Sequence, residues 1–175
     1  MGSMFRDTPF NQDISNWDVS NVTNMSGLFR DTPFNQDLSN WDVSNVTKMI
    51  GMFRGTPFNQ DLSNWNVSNV SNMQGMFAYS DYNEDISSWD VSNVTDMEQM
   101  FHHADNFNQD INNWNVSNVT NMQWMFTHAK AFNQPIGNWD VSNVTDMLYM
   151  FAYTPFDQDI SEWDVSNVTN MKGMF

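Results

Sequence analysis

The sequence predicts an α/β solenoid of seven stacked repeats, each with one short parallel strand and one short helix. The main observation is a window of about two dozen residues that recurs seven times and occupies nearly the whole chain. It is clearest as Phe10-Asn-Gln-Asp-Ile-Ser-Asn-Trp17-Asp-Val-Ser-Asn-Val-Thr-Asn-Met25. A second observation is that each window contains two apolar periods, one typical of a strand and one of a helix. Stacked units of this kind predict a long, regular binding face.

The register of the units is set by an opening apolar pair, Met-Phe in all but one unit. The units begin at Met4, Leu28, Met52, Met76, Met100, Met125 and Met150, and residues 174–175 begin a partial eighth. We interpret residues 1–3 as an expression leader and residues 4–175 as a single repeat domain. The two units of 25 residues carry their extra residue between the opening pair and the downstream Phe, as between Met100 and Phe107. A stretch that accepts insertions is predicted to be a loop.

The strand and the helix are predicted from spacing within the unit. Residues 17–19 alternate apolar and polar side chains, which is the period of a strand. The three- and four-residue spacing of a helix follows in Val22, Met25, Leu28 and Phe29. We expect Ser20 or Asn21 to cap that helix, and Thr32 before Pro33 to end it.

Composition restricts the function further. The hydrophobic fraction of 40% and the aromatic fraction of 15% predict a folded chain. The net charge of -15 argues against nucleic acid as a partner, because an acidic surface repels phosphates. Arg6, Arg30 and Arg54 form the one aligned basic column, with Asp7 and Asp31 beside its first two members. Cysteine is absent, and no apolar run approaches the length of a membrane span, so we expect no membrane insertion by this segment.

The repeat motif resembles that of a known family. Met-Phe followed by Phe-Asn-Gln-Asp-Ile-Ser-Asn-Trp-Asp-Val-Ser-Asn-Val-Thr-Asn-Met is similar to the BspA-like leucine-rich repeat of bacterial and mycoplasma surface lipoproteins, over residues 4–175. The resemblance implies a right-handed leucine-rich-repeat-like stack, displayed at the cell surface or secreted, for adhesion or protein recognition without enzymatic activity. The chain departs from the pattern, without changing the apolar skeleton, at Asn66, Tyr82, Asn115, Pro135 and Asp157.

Two acidic columns run along the repeats. The calcium candidates form the first column, which contains Asp13, Asp37, Asp61, Asp85, Asp110 and Asp159. Stacked carboxylates beside Ser and Asn would suit Ca²⁺, which takes about six to eight oxygen ligands. The second column contains Asp18, Asp42, Asp90, Asp140 and Asp164, with Asn66 and Asn115 in the other units. Because Asn replaces Asp there, we favour a turn or capping role for this column.

Other polar columns are predicted to join the units. An amide ladder is expected from Asn11, Asn35, Asn59, Asn83, Asn108 and Asn133 and the Gln residues that follow most of them. Carbohydrate binding by these amides is the alternative. A glycosylation sequon occurs in each unit, starting at Asn21, Asn45, Asn69, Asn93, Asn118, Asn143 and Asn167. We interpret it as a helix cap, because a glycan on every unit would crowd the stack.

The aromatic residues divide into a core column and a surface patch. The Trp column that begins at Trp17 is expected to face inward, because it shares the strand face with Val19. The candidate partner patch consists of variable surface residues in the second half, namely Tyr79, His103, Trp124, His128, Tyr149 and Tyr153. A transition-metal site at His103 and His128, beside His102, is an alternative that lacks a third committed ligand.

These observations predict a non-enzymatic scaffold that recognises a protein or a host or cell-surface ligand. The sequence offers no catalytic residue, and no cofactor other than the calcium considered above. Two alternatives stay open, a calcium-stiffened structural spacer and a carbohydrate- or ice-binding array based on the Thr column that begins at Thr23. Because no polar unit caps either end, we also expect end-to-end self-association through uncapped terminal repeats.

Overall fold

The computed structural model describes all 175 residues as a stack of coils, one coil for each sequence unit. It contains no helix, and its only β pairing consists of isolated parallel bridges between neighbouring coils. The bridged pairs are Asn24–Lys48, Lys48–Asn72, Asn72–Asp96, Asp96–Asn121, Asn121–Asp146 and Asp146–Asn170. The predicted α/β solenoid of leucine-rich-repeat type, with a strand and a helix in each repeat, is therefore wrong. No helix of the length and apolarity required to cross a membrane occurs in the structure.

The segment predicted as a helix is a ribbon of successive turns. The N–H group of Leu28 donates to the Met25 carbonyl three residues back, at 3.1 Å. The next N–H group, that of Phe29, donates instead to the Met52 carbonyl of the following coil, also at 3.1 Å. This alternation continues along the ribbon and satisfies its backbone donors. A helix would direct every N–H group four residues back within the same segment.

Backbone dihedral angles explain why turns replace the helix. Gly27 and Asp31 have φ angles of 62° and 55° and occupy the third position of two turns, where a type II turn requires positive φ. A right-handed helix needs negative φ at every residue. Met25, Leu28 and Phe29 are nevertheless fully buried, so the turn ribbon produces the same apolar spacing as a helix. Periodicity alone does not distinguish the two backbones.

The segment predicted as a strand is a corner formed by two turns. The N–H group of Trp41 donates to the Leu38 carbonyl at 3.0 Å, and that of Val46 donates to the Val43 carbonyl at 2.9 Å. Trp41 and Val43 are buried on either side of the exposed Asp42. The corner therefore imitates the alternation of a strand without any strand pairing.

The sequon asparagines join coils, so their predicted role as helix caps is also wrong. The Asn45 side-chain amide donates to the Ser20 carbonyl of the preceding coil at 2.8 Å. The equivalent bond is made in every later coil, by Asn69, Asn93, Asn118, Asn143 and Asn167. These exposed amides therefore stabilise the stack directly.

The core consists of aromatic and aliphatic columns that run through all the coils. The Phe29 ring stacks on Phe5 and Phe53 at centroid distances of 5.9 and 5.8 Å, and on Phe34 of its own coil at 3.8 Å. The predicted inward Trp column is confirmed for every member except the exposed Trp17 of the first coil. The indole nitrogens donate to carbonyl groups of the preceding coil, from Trp41 to Ile14 at 3.1 Å for example. Neighbouring coils are thus aligned in register.

The insertion point and the ends of the stack follow from the same packing. In a coil of 24 residues, the Thr32 hydroxyl accepts the Phe34 N–H at 3.4 Å. In a longer coil the Phe107 N–H donates to the Ala104 carbonyl at 3.1 Å, so an additional turn accommodates the insertion as predicted. The end faces are apolar, since Met4 is 56% exposed and Phe175 is 71% exposed. End-to-end association through these faces stays a prediction.

Candidate binding surface

Four residues of the predicted patch form one continuous stack of rings across four coils. We call this stack of Tyr79, His103, His128 and Tyr153 the aromatic strip. Successive ring centroids are 4.8, 4.2 and 4.4 Å apart, and the ring planes differ by only 15°, 12° and 9°. Because the ring faces cover one another, the strip presents mainly ring edges, imidazole nitrogens and phenol hydroxyls to the solvent. Tyr79 and Tyr153, at its two ends, are 48% and 73% exposed.

The other two patch residues lie in a separate column. Trp124 and Tyr149 each precede a member of the strip by four residues, and neither ring belongs to its stack. The Tyr149 ring lies directly against Gly173, where an added Cβ would come within 2.2 Å of a ring carbon. The Tyr149 carbonyl also accepts a hydrogen bond from the Thr127 hydroxyl. The structure thus divides the predicted patch into two columns.

All six patch residues share a strained backbone conformation. Their φ angles lie between 53° and 61°, in the left-handed region. At the position of the aromatic strip, earlier coils have Asp31 and Gly55, and at the position of Trp124 they have Gly51 and Gly75. A side chain other than Gly costs about 1–2 kcal/mol in this region, with Asn and Asp the best tolerated. The patch therefore carries its largest side chains where the backbone favours the smallest.

One cationic side chain, Arg54, and three histidines lie at the aromatic strip, although the chain as a whole is acidic. The Arg54 guanidinium lies over the Tyr79 ring, with 4.8 Å between its carbon and the ring centroid. The Tyr79 hydroxyl is hydrogen-bonded to His102 Nε2 at 3.0 Å. Burial, followed by the charge of the neighbouring His103, lowers the pKa of His102 to about 4. Burial also lowers the pKa of His103, followed by the effect of His128. His102 and His103 are thus neutral at pH 7.

A groove of about 260 Å³ lies beside the Tyr79 end of the strip. Its lining residues are Arg30, Ile50, Gly51, Arg54, Gln74, Gly75 and Gln99. Arg54 Nη1 donates to Gln99 Oε1 at 3.2 Å, and these two residues are 45 positions apart in the chain. We call this set of residues the Arg54 groove.

The Arg54 groove was not predicted from the sequence. The arginine column was recognised only as an aligned set of bases. In the structure Arg6 and Arg30 each pair with the following aspartate at 3.1 Å, whereas Gly55 follows Arg54. Arg54 forms no salt bridge with a carboxylate. The replacement of Asp by Gly at position 55 was the one signal in the sequence that could have drawn attention to this groove.

The structure does not bring the calcium candidates together. Each first-column carboxylate accepts the N–H of the residue two positions later, as Asp13 does from Ser15 at 2.9 Å. This backbone bond, with the Ser15 hydroxyl, holds the pKa of Asp13 below its ordinary value. The second column makes the same turn, and Asn66 makes it as well, accepting from Ser68 at 3.2 Å. No three His, Asp or Glu side chains form a group that could hold a metal ion.

The histidine pair is also poorly arranged for a metal. His103 and His128 stack face to face, with only 12° between their planes. Their nitrogen lone pairs lie in the ring planes, so those of the two rings run side by side and do not converge on one point. The stacked geometry therefore favours a packing role for these two imidazoles over metal ligation.

The amide and threonine columns join neighbouring coils. Asn11 Oδ1 accepts both the Asn35 N–H and the Gln36 side-chain amide at 3.0 Å, and similar bonds recur along the stack. These amides are partly buried, which supports the prediction of an internal ladder. The Thr47 hydroxyl donates to the Thr23 carbonyl at 3.1 Å. The threonine column therefore uses its hydroxyl donors within the stack.

Comparison with known proteins identifies one family. A family model described as "Mycoplasma protein of unknown function, DUF285" matches residues 1–83 and 78–175, which together cover the chain. The two tandem matches agree with the repeat organisation. A comparison with curated proteins gives no match, and neither does a comparison with solved structures.

Proposed function

We propose that this chain, which belongs to the family of Mycoplasma proteins of unknown function DUF285, is a non-enzymatic repeat scaffold for adhesion or protein recognition. Its location at a cell surface, or its secretion, is part of the same proposal and rests on the resemblance of its repeat motif to BspA-like surface repeats. We assign the partner to the aromatic strip.

The repeated backbone strain along the aromatic strip carries this proposal. Tyr79, His103, His128 and Tyr153 all have φ angles of 54–61°, in four successive coils. Four such residues cost about 4–8 kcal/mol in total. Three stacked ring pairs return about 1.5–4.5 kcal/mol beyond the area that they bury. The strip therefore holds large side chains in a backbone conformation that favours Gly, and strain of this kind is found where a surface has a function.

The chemistry of the strip suits recognition of another macromolecule. Tyr and Arg are among the residues that contribute most to protein interfaces, and Arg54 extends the strip at Tyr79. Stacking already fixes the ring orientations, so binding would restrict few additional rotamers. A preorganised row of ring edges that ends at the Arg54 guanidinium favours a partner with polar groups and with an acidic group at Arg54.

An adherence assay with a glycine variant of the strip tests the proposal. The variant combines Tyr79→Gly, His103→Gly, His128→Gly and Tyr153→Gly, which copies the residue that Gly55 provides at the same position. Beads coated with the unaltered chain are expected to adhere to cultured epithelial cells, and beads coated with the variant are not. The variant should remain folded, with a cooperative melting transition, because Gly55 already occupies the same position in an earlier coil.

A matched control separates the strip from its column. Asp7→Gly combined with Asp31→Gly makes the same type of change at the same position of two earlier coils. Adherence should be unaffected by this control. The proposal is wrong if the unaltered chain does not adhere, or if the fourfold glycine variant adheres equally well.

A further inference from the structure

The Arg54 groove contains the one arginine of this chain without a carboxylate partner. The other two, Arg6 and Arg30, are each paired with an aspartate at 3.1 Å. In a chain with a net charge of -15, a guanidinium left free of carboxylates is an exception. We propose that the Arg54 groove is a binding site for an acidic saccharide, whose single carboxylate binds the Arg54 guanidinium.

The guanidinium is held in place before any ligand arrives. The Tyr79 ring lies 4.8 Å below its carbon, and Gln99 accepts a hydrogen bond from Nη1 at 3.2 Å. Both contacts come from other coils of the stack, which fixes the long side chain across the groove. A guanidinium has five N–H donors, and the bond to Gln99 uses one of them. The others remain available for a carboxylate, which a guanidinium binds through two parallel hydrogen bonds.

The groove is open because glycine forms its floor. Gly51 and Gly75 have φ angles of 56° and 59°, and the next three coils have Gln99, Trp124 and Tyr149 at the same position. A Cβ added at Gly75 would lie 3.8 Å from Arg54 Nη1. A longer side chain at position 75 would therefore occupy the space in front of the guanidinium. In the later coils the larger side chains of Gln99, Trp124 and Tyr149 stand at the equivalent position.

The charge of the whole chain selects the type of anion. Every negative charge on a ligand is repelled by the excess of carboxylates, so a monoanion approaches at a lower cost than a doubly charged phosphate. A single carboxylate on an otherwise neutral body is therefore favoured.

The lining of the groove selects the neutral part of the ligand. Ile50 is its only hydrophobic residue, and the Gln74 and Gln99 amides offer the donors and acceptors that sugar hydroxyls use. An extended peptide would need free backbone groups to pair with. The Gly51 and Gly75 N–H groups are already bonded to carbonyls of the following coils, at 2.8 and 2.7 Å. These features favour a saccharide over a peptide strand.

Titration with D-glucuronate tests this inference. Binding is followed through the side-chain NMR signals of Arg54, Gln74 and Gln99, with the ligand raised into the millimolar range. D-glucose, which lacks the carboxylate, is expected to bind at least about ten-fold more weakly, and inorganic phosphate should also bind more weakly than glucuronate. Arg54→Gln should reduce glucuronate affinity about ten-fold or more. Lys172→Gln changes the net charge equally, outside the groove, and should leave the affinity unchanged.

A second variant protects the test against a folding defect. Gly75→Gln introduces the residue that the next coil has at the equivalent position, where Gln99 already adopts a φ angle of 57°. The variant should fold, fill the groove and lose glucuronate binding. The inference is overturned if glucuronate does not bind saturably, binds no better than glucose, binds more weakly than phosphate, or binds Arg54→Gln as it binds the unaltered chain. His103, His128 and Tyr153 do not line the groove, so failure of the adherence proposal would be a separate result.

Discussion

Tyr82 places a hydroxyl group in a column of phenyl rings, and we expect Tyr82→Phe to stabilise the chain. The residue is fully buried, with its ring 4.1 Å from that of Phe77 and 6.2 Å from that of Phe58. Its hydroxyl oxygen is buried and has no hydrogen-bond partner. Burial raises the pKa of this phenol well above its ordinary value. An unsatisfied buried polar group costs about 1–3 kcal/mol, and Phe keeps the ring while removing that group.

The expected gain is therefore about 1–3 kcal/mol in the free energy of unfolding. In a chain of this size 1 kcal/mol corresponds to about 2–4 °C, so calorimetry should show a higher melting temperature by about 2–12 °C. Urea unfolding should give the same slope with a higher midpoint. Phe58→Tyr is the matched control, because it adds a hydroxyl to the same column and should destabilise by a similar amount. Unchanged or lower stability of Tyr82→Phe would show that this hydroxyl is satisfied in solution.

Four further predictions concern pH, turns, calcium and the end faces. Burial holds the pKa of His102 near 4 against an ordinary 6.5, so its contribution to stability should be complete above pH 6.5 and should be lost as the pH falls towards 4. Thermal melts of His102→Gln should show a weaker dependence, and the part that remains includes the lowered pKa of His103. Asp90 accepts the Ser92 N–H in the turn of the second acidic column, and Asn66 makes the equivalent turn. Asp90→Asn should therefore change the free energy of unfolding by less than about 0.5 kcal/mol, whereas Asp90→Ala removes the acceptor and should lower it by about 0.5–1.5 kcal/mol. EDTA should leave the melting temperature unchanged, and a decrease that calcium reverses would support the spacer alternative. Sedimentation at rising concentration should detect end-to-end dimers of this chain, which Met4→Glu with Phe175→Glu should abolish.

The sequence predicted the packing of this chain better than its backbone. The repeat register, the inward Trp column and the insertion between Met100 and Phe107 all depend on side-chain identity and spacing, which the sequence displays directly. The helix and the strand were wrong because burial of Met25, Leu28 and Phe29 is compatible with either a helix or a turn ribbon. The sign of φ distinguishes the two, and the recurring glycine at positions 27, 51 and 75 was the available indication of it.

The candidate surface was predictable in part for a similar reason. Tyr79, His103, His128 and Tyr153 vary at a fixed position of the repeat, so the sequence grouped them before their stacking was known. The Arg54 groove depends instead on a bond between side chains 45 residues apart and on the space left by missing side chains. Neither feature appears in the spacing of a single repeat.

The hydrogen bonds between coils have a mechanical consequence. In each coil the turn ribbon donates to the next coil, and the indole, amide and threonine groups donate to the preceding coil, so the bonds form seams between neighbouring coils. A force that pulls on the chain ends would open these seams one after another, starting from the outermost coils. Each opened coil of 24 residues would release about 80 Å of slack. A tether built in this way lengthens stepwise under load while its central coils keep their shape.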